Sequence, residues 1–128
     1  MAEWRDTIRA AKAVVHQTMR VRACYLLPGV ATGRRIWVRP RYRRADAGPD
    51  GQGVALIHDT AMRVLFDRLE VSMPARLARV LIGETEAYQV EQSLPPYLGF
   101  IEADVTRLTE SQAAALWASA LPEDFLDG

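Results

Sequence analysis

Cysteine, lysine and histidine are scarce in this chain, with one, one and two residues among 128. A single cysteine, Cys24, excludes a disulfide within the chain and fits a reducing compartment. It lies in the apolar run Ala23-Cys24-Tyr25-Leu26-Leu27, where a thiol serves as a small buried hydrophobe rather than a reactive group. Two histidines and one cysteine, with no close spacing among them, make no zinc motif. No apolar stretch approaches the roughly eighteen residues that a membrane span needs. The first twenty residues are amphipathic, so no secretory signal is expected. Gly51-Gln52-Gly53 lacks the third glycine of a dinucleotide loop, and no Gly-Lys-Ser/Thr stands for a phosphate loop. His58 and Asp59 are adjacent, so on a strand they point to opposite faces. Glu84 falls in a turn, and Glu86 and Glu91 alternate with apolar residues, the pattern of a solvated face rather than of paired acid and base. The expectation is a protein that is not an enzyme and needs no cofactor and no metal.

What the chain does have is a positional split of charge. Sixteen bases balance sixteen acids, but residues 1–44 carry a net +9 and residues 45–128 a net −9. Fifteen of the bases are arginine, each a rigid fork for carboxylate or phosphate. If the fold keeps the two sets apart, the molecule is strongly polar. That suits a subunit stacked between unlike neighbours, or a basic face for nucleic acid.

The spacing predicts a helix over 3–20. Trp4, Ile8, Ala11, Val15 and Met19 recur at steps of 4, 3, 4 and 4, forming one stripe. Arg5, Arg9, Lys12, His16 and Arg20 form a second, adjacent stripe. The apolar stripe is narrow for a helix buried in its own domain. It suits a helix lying along a partner's groove, or a surface helix packed on its own sheet with a solvated basic face.

Short strands follow. Ala23–Leu27 is stopped by Pro28-Gly29. Arg34–Tyr42 has Ile36 and Val38 on one face and Arg35, Trp37 and Arg39 on the other, with Pro40 ending the run or marking a sheet edge. Arg43–Gly53 reads as a long loop, functional or disordered. Val54–Ile57 and Thr60–Phe66 read as strands joined through His58-Asp59. Arg79–Ile82 and Glu86–Glu91 flank Gly83-Glu84-Thr85 as a hairpin. Tyr97–Leu108 reads as one last strand. Thr109 and Gln112 match a capping box that opens a helix ending near Leu121-Pro122. In the acidic tail, Phe125 and Leu126 suggest docking.

The fold class is therefore mainly β: a small antiparallel barrel or sandwich of six or seven strands, with an amphipathic N-terminal helix and a short C-terminal helix. It is one domain, divided into a helix and arm (1–22), a barrel with the loop 43–53 (23–108), and a C-terminal helix with acidic tail (109–128). The best nucleic-acid segment is 34–44, six arginines interleaved with Trp37 and Tyr42. Its outward Arg35, Trp37 and Arg39 would set phosphate contacts beside a stacking ring, as on an OB-fold. A basic sheet edge that discourages pairing, or a face for an acidic partner, explains it equally.

The order of pieces resembles the small head–tail joining proteins (tail attachment or head completion) of long-tailed bacteriophages and prophages. The likeness runs over about 1–108. It is carried by the Trp4-led helix with Val15-His16-Gln17-Thr18-Met19, then Ala23-Cys24-Tyr25 before Pro28-Gly29, and the strand ending at Arg39-Pro40. The glycine-bearing loop 48–53, Val64-Leu65-Phe66, Val71-Ser72-Met73-Pro74, the hairpin 80–90 and the strand 99–105 follow. Where such proteins often have Gly-Asp before the hairpin, this chain has Ala78-Arg79, and 109–128 lies beyond the likeness. The resemblance implies a virion structural protein, made in the host cytoplasm and placed in the neck. Copies would form a ring between the portal-side adaptor and the tail, closing or continuing the DNA channel. It implies a partner-binding helix with Trp4, Arg5, Ile8, Arg9, Lys12 and Val15. It also implies channel or neighbour contacts at Arg39, Arg41, Arg43, Arg44, Gly48, Asp50 and Gly51. Tail-terminator or baseplate barrels, and an OB-like nucleic-acid module, are the alternatives.

Overall fold

The structure, a computed structural model, describes residues 3–42 and 61–127. Helix α1 spans Glu3–Met19, and α2 spans Glu110–Ser119. Between them run β1 (Val21–Leu26), β2 (Arg34–Tyr42), β3 (Ala61–Asp67), β4 (Arg79–Leu81), β5 (Ala87–Ser93) and β6 (Phe100–Arg107). All neighbours pair antiparallel, and the sheet closes in the order β1-β2-β3-β6-β5-β4. The fold is thus a six-stranded antiparallel barrel with a helix at each end of the chain. Closure leaves none of these strands as a free sheet edge. The loop 43–53, the expected strand 54–57, His58 and Asp59 fall outside the described residues.

Alternation along the strands sorts side chains between interior and exterior. Ala23, Tyr25, Ile36, Val38, Val64, Phe66, Val80, Val90, Ile101 and Ala103 fill the interior. Complete burial of a side chain such as Phe66 stabilises by about 2 kcal/mol or more. The Tyr25 and Phe66 rings meet edge-on at 6.0 Å. The segment after β3 plugs one end: Val71 and Ala78 join the core, and the Ala75 amide donates to the Tyr25 hydroxyl at 2.9 Å.

Several expectations need correction. Val21 and Arg22 belong to β1, so the barrel begins inside the expected N-terminal arm. β2, by contrast, keeps its expected range, Arg34–Tyr42, and runs through Pro40. The β1 pairing stops at Val21↔Val38, so Pro40 sits where β2 has a ladder partner on the β3 side alone, and a bulge follows at Arg41/Tyr42. The last strand is not one run from Tyr97. Tyr97 and Phe100 exchange both backbone hydrogen bonds around Leu98 (φ 52°) and Gly99 (φ 88°), a two-residue hairpin with both central residues left-handed. Phe100 is then turned outward, away from the barrel core.

A second cluster lies outside the barrel. Cys24, Leu26, Leu81 and Ala87 point out from β1, β4 and the start of β5, and α2 covers them with Ala113, Ala120 and Phe125. The helix begins as its sequence dictates. The Thr109 side chain accepts from the Gln112 amide at 3.2 Å, and the Gln112 side chain accepts from the Thr109 amide at 3.1 Å. At its far end, the Gly33 amide donates to the Ala120 carbonyl at 2.8 Å. A Cβ on Gly33 would collide with the Cys24 sulfur and the Tyr25 carbonyl, so glycine is required there by close approach.

Candidate partner interface

Helix α1 lies against the outer face of β2 and reaches the end of β3 and the start of β6, seated through His16 of the basic stripe, while Arg5, Arg9 and Lys12 of the same stripe stay exposed as expected. The His16 ring packs 5.1 Å from Phe100 and is buried. Four residues to one side, the Lys12 ammonium sits 5.3 Å from the Tyr97 ring. Just beyond the helix, the Arg20 guanidinium lies 4.3 Å from the Trp37 ring. Positions 12, 16 and 20 share one helical face, so this face is turned to the barrel. The physical reason is the outward turn of Phe100, which offers an aromatic seat that periodicity alone does not reveal.

His16 has no hydrogen-bond partner on either ring nitrogen among the described residues. Burial holds its pKa below the ordinary 6.5; Asp67 pulls it upward, while Arg39 and Arg20 push it further down. The histidine is therefore held neutral.

With that face occupied, the apolar stripe is left to solvent. Trp4 is 53% exposed and Met19 62%, with Val14 and Val15 also open. Ile8 is half-buried. Arg5 lies 5.3 Å from the Trp4 ring, and Arg5, Arg9 and Lys12 are all exposed. The six residues expected to bind a partner through α1 thus form one flank, apolar along Trp4 and Val15 and basic beside them. A cleft of about 430 Å³ opens between Arg9 and the β3–β6 end, walled by Leu69, Leu98 and Phe100.

The arginine-rich strand is arranged differently from expectation. Arg35 donates to the Asp127 carbonyl at 2.7 Å and to the Asp124 carbonyl at 3.4 Å, and Arg22 donates to the Phe125 carbonyl at 3.0 Å. Trp37 is half-buried and flanked by Arg20 and Arg22. Arg41 pairs with Glu102 at 3.1 Å, and Arg63 with Asp104 at 3.0 Å. The outward face of β2 is therefore no open stacking platform: the tail carbonyls take Arg35, Glu102 of β6 takes Arg41, and Arg20 and Arg22 flank Trp37. Arg39 is half-buried near His16. Arg43, Arg44, Gly48, Asp50 and Gly51 fall outside the described residues.

The two apolar residues of the tail part company. Phe125 is buried, edge-on to Trp117 at 5.4 Å, and docks within its own chain. Leu126 is 69% exposed. Cys24 is fully buried, and burial pushes its thiol pKa up to about 11, opposed by a backbone hydrogen bond at Gly33.

One feature had no signal in the sequence. On the α2 flank, a cleft of about 390 Å³ lies between the β1–β2 turn and α2, lined by Leu27, Val30, Leu77, Arg79 and Leu116 among others. Leu27, Val30 and Leu77 are each exposed. Leu77 takes a left-handed backbone (φ 69°) that no turn motif announces. Among the described residues, no group of three His, Cys, Asp or Glu side chains is placed to hold a metal ion. No helix among them is long and apolar enough to cross a membrane.

Searches against protein-family models and curated proteins find no match to this chain.

Proposed function

We propose that this protein is a structural subunit of a phage neck ring, joining a DNA-filled capsid to its tail and helping to close or continue the DNA channel. The observation that carries the reading is the exposed flank of α1: Trp4, Val14, Val15 and Met19 lie open beside Arg5, Arg9 and Lys12 on an otherwise well-filled barrel. A monomer gains nothing from wetting that flank, whereas a subunit held by neighbours covers it on assembly. The closed barrel is the fold that the resemblance implies. The role is mechanical and involves no catalysis or cofactor. Its partners are further copies, a portal-side adaptor and a tail protein.

The OB-like reading is weakened, since Arg35 and Arg41 of its segment are engaged within the molecule and Trp37 is half-buried. Salt separates the two. A nucleic-acid module with six arginine–phosphate contacts loses several hundredfold or more in DNA affinity between about 50 and 200 mM salt. A neck subunit binds free DNA weakly throughout.

The direct test mixes the protein with capsids that have packaged DNA but lack tails, and measures bound mass by light scattering. Binding in a fixed ring stoichiometry is the expected result. A protein that ignores such capsids removes the neck reading and turns attention to tail-terminator or baseplate positions.

A further inference from the structure

Two unlike surfaces stand on the outside of the barrel, one built on α1 and one on α2 with the tail that follows it. The α1 flank lies against β2 and reaches the start of β6; the α2 flank covers β1, β4 and the start of β5, and its tail reaches Arg35 of β2. The first exposes Trp4, Val15 and Met19 beside Arg5, Arg9 and Lys12, with Asp6 the one exposed acid among them. The second exposes Leu27, Val30 and Leu77 around the 390 Å³ cleft. Its chain segment, 108–128, carries Glu110, Glu123, Asp124 and Asp127 and no base. Those four acids are exposed.

We propose that the α1 flank of one copy docks on the α2 flank of the next, with its apolar stripe over the Leu27–Val30–Leu77 cleft and its bases against the acidic tail. Charge decides the pairing. Placing α1 against α1 brings Arg5, Arg9 and Lys12 into apposition with their own kind, and α2 against α2 does the same for the acids. The unlike pairing removes both penalties and joins apolar surface to apolar surface. Because the two flanks differ, the contact is head to tail, and it propagates into a ring or an open filament rather than stopping at a two-fold dimer. The proposal names the lateral partner within the ring reading and rests on that reading for its setting alone.

A charge swap tests it. Self-association is measured by sedimentation for the unaltered protein, for Arg5→Glu with Arg9→Glu, for Glu123→Arg with Asp124→Arg, and for an equal mixture of the two variants. All four side chains are exposed, so each variant's thermal unfolding serves as a check that the barrel is intact. Each double reversal is expected to weaken self-association about tenfold or more. The mixture is expected to recover association between the two altered flanks, seen as hetero-dimers that neither variant forms alone. Trp4→Cys mixed with Leu77→Cys is expected to give a disulfide between copies, since the native Cys24 is buried and does not compete. A protein that stays monomeric at millimolar concentration, reversals without effect, or a mixture no better than its components would each overturn the proposal. Capsid binding is scored separately. Self-association without capsid binding removes the neck reading and leaves this contact standing. Capsid binding by a protein indifferent to the swap does the opposite.

Discussion

At His16 the chain buries an imidazole among Phe100, Asp67 of β3, Arg39 of β2 and Arg20, with neither nitrogen bonded among the described residues. Its folded pKa lies below 6.5, so protonation favours the state in which α1 has left the barrel. Docking is at full strength above that value and weakens as pH falls below it, because the released helix takes up a proton that the docked one refuses. Hydrogen exchange of the α1 amides should accelerate as pH is lowered from about 7 to 5 after correction for intrinsic rates, with barrel amides unaffected. His16→Leu removes the unpaired ring and should flatten that dependence while raising stability by about 1 kcal/mol. Gly33 makes the opposite demand. Gly33→Ala drives a methyl into the Cys24 sulfur and the Tyr25 carbonyl and should cost about 1–3 kcal/mol in denaturant unfolding. Adding Cys24→Ala should recover a part of the loss, since the carbonyl contact persists; strict additivity of the two changes would show that they do not meet.

Among the elements, α2 with its tail separates a docked residue from a free one. Phe125→Ala should lower stability by about 3 kcal/mol, whereas Leu126→Ala should stay within about 0.5 kcal/mol, both read from urea midpoints. The Leu98-Gly99 hairpin holds a leucine at φ 52°, a conformation that asparagine tolerates better; Leu98→Asn should stabilise by about 1 kcal/mol. That same leucine explains one misreading of the sequence. A Leu-Gly pair carries no hairpin signature, so Tyr97–Leu108 reads as unbroken alternation. By contrast, Thr109 and Gln112 write the start of α2 into four residues, and the alternation through Ile36/Val38 and Val64/Phe66 writes the barrel interior. Helical periodicity delivers both stripes of α1 but not the choice between them. That choice depends on an outward Phe100 brought in from more than eighty residues away. The same holds for Arg35, whose tail carbonyls are 89 and 92 residues distant. Local pattern is legible; the pairing of surfaces remote in sequence is not.

At the scale of the whole molecule, Arg5, Arg9 and Lys12 stand exposed on α1, and Glu110, Glu123, Asp124 and Asp127 stand exposed on α2 and its tail. Head-to-tail association through exposed charges should fall as salt is raised from about 50 to 500 mM, because the screening length shrinks severalfold toward contact distance. Sedimentation across that range checks it; association indifferent to salt would assign the contact to apolar surface alone. The placement of α2 has one more consequence, for the ribosome. Cys24, Leu26, Leu81 and Ala87 are all synthesised before the helix that shields them. A nascent barrel therefore carries a bare oily patch until residues 113–125 emerge. During that interval, proteases and aggregation compete with the finishing of the fold, and a holdase that grips that patch would need to let go only when the last helix arrives.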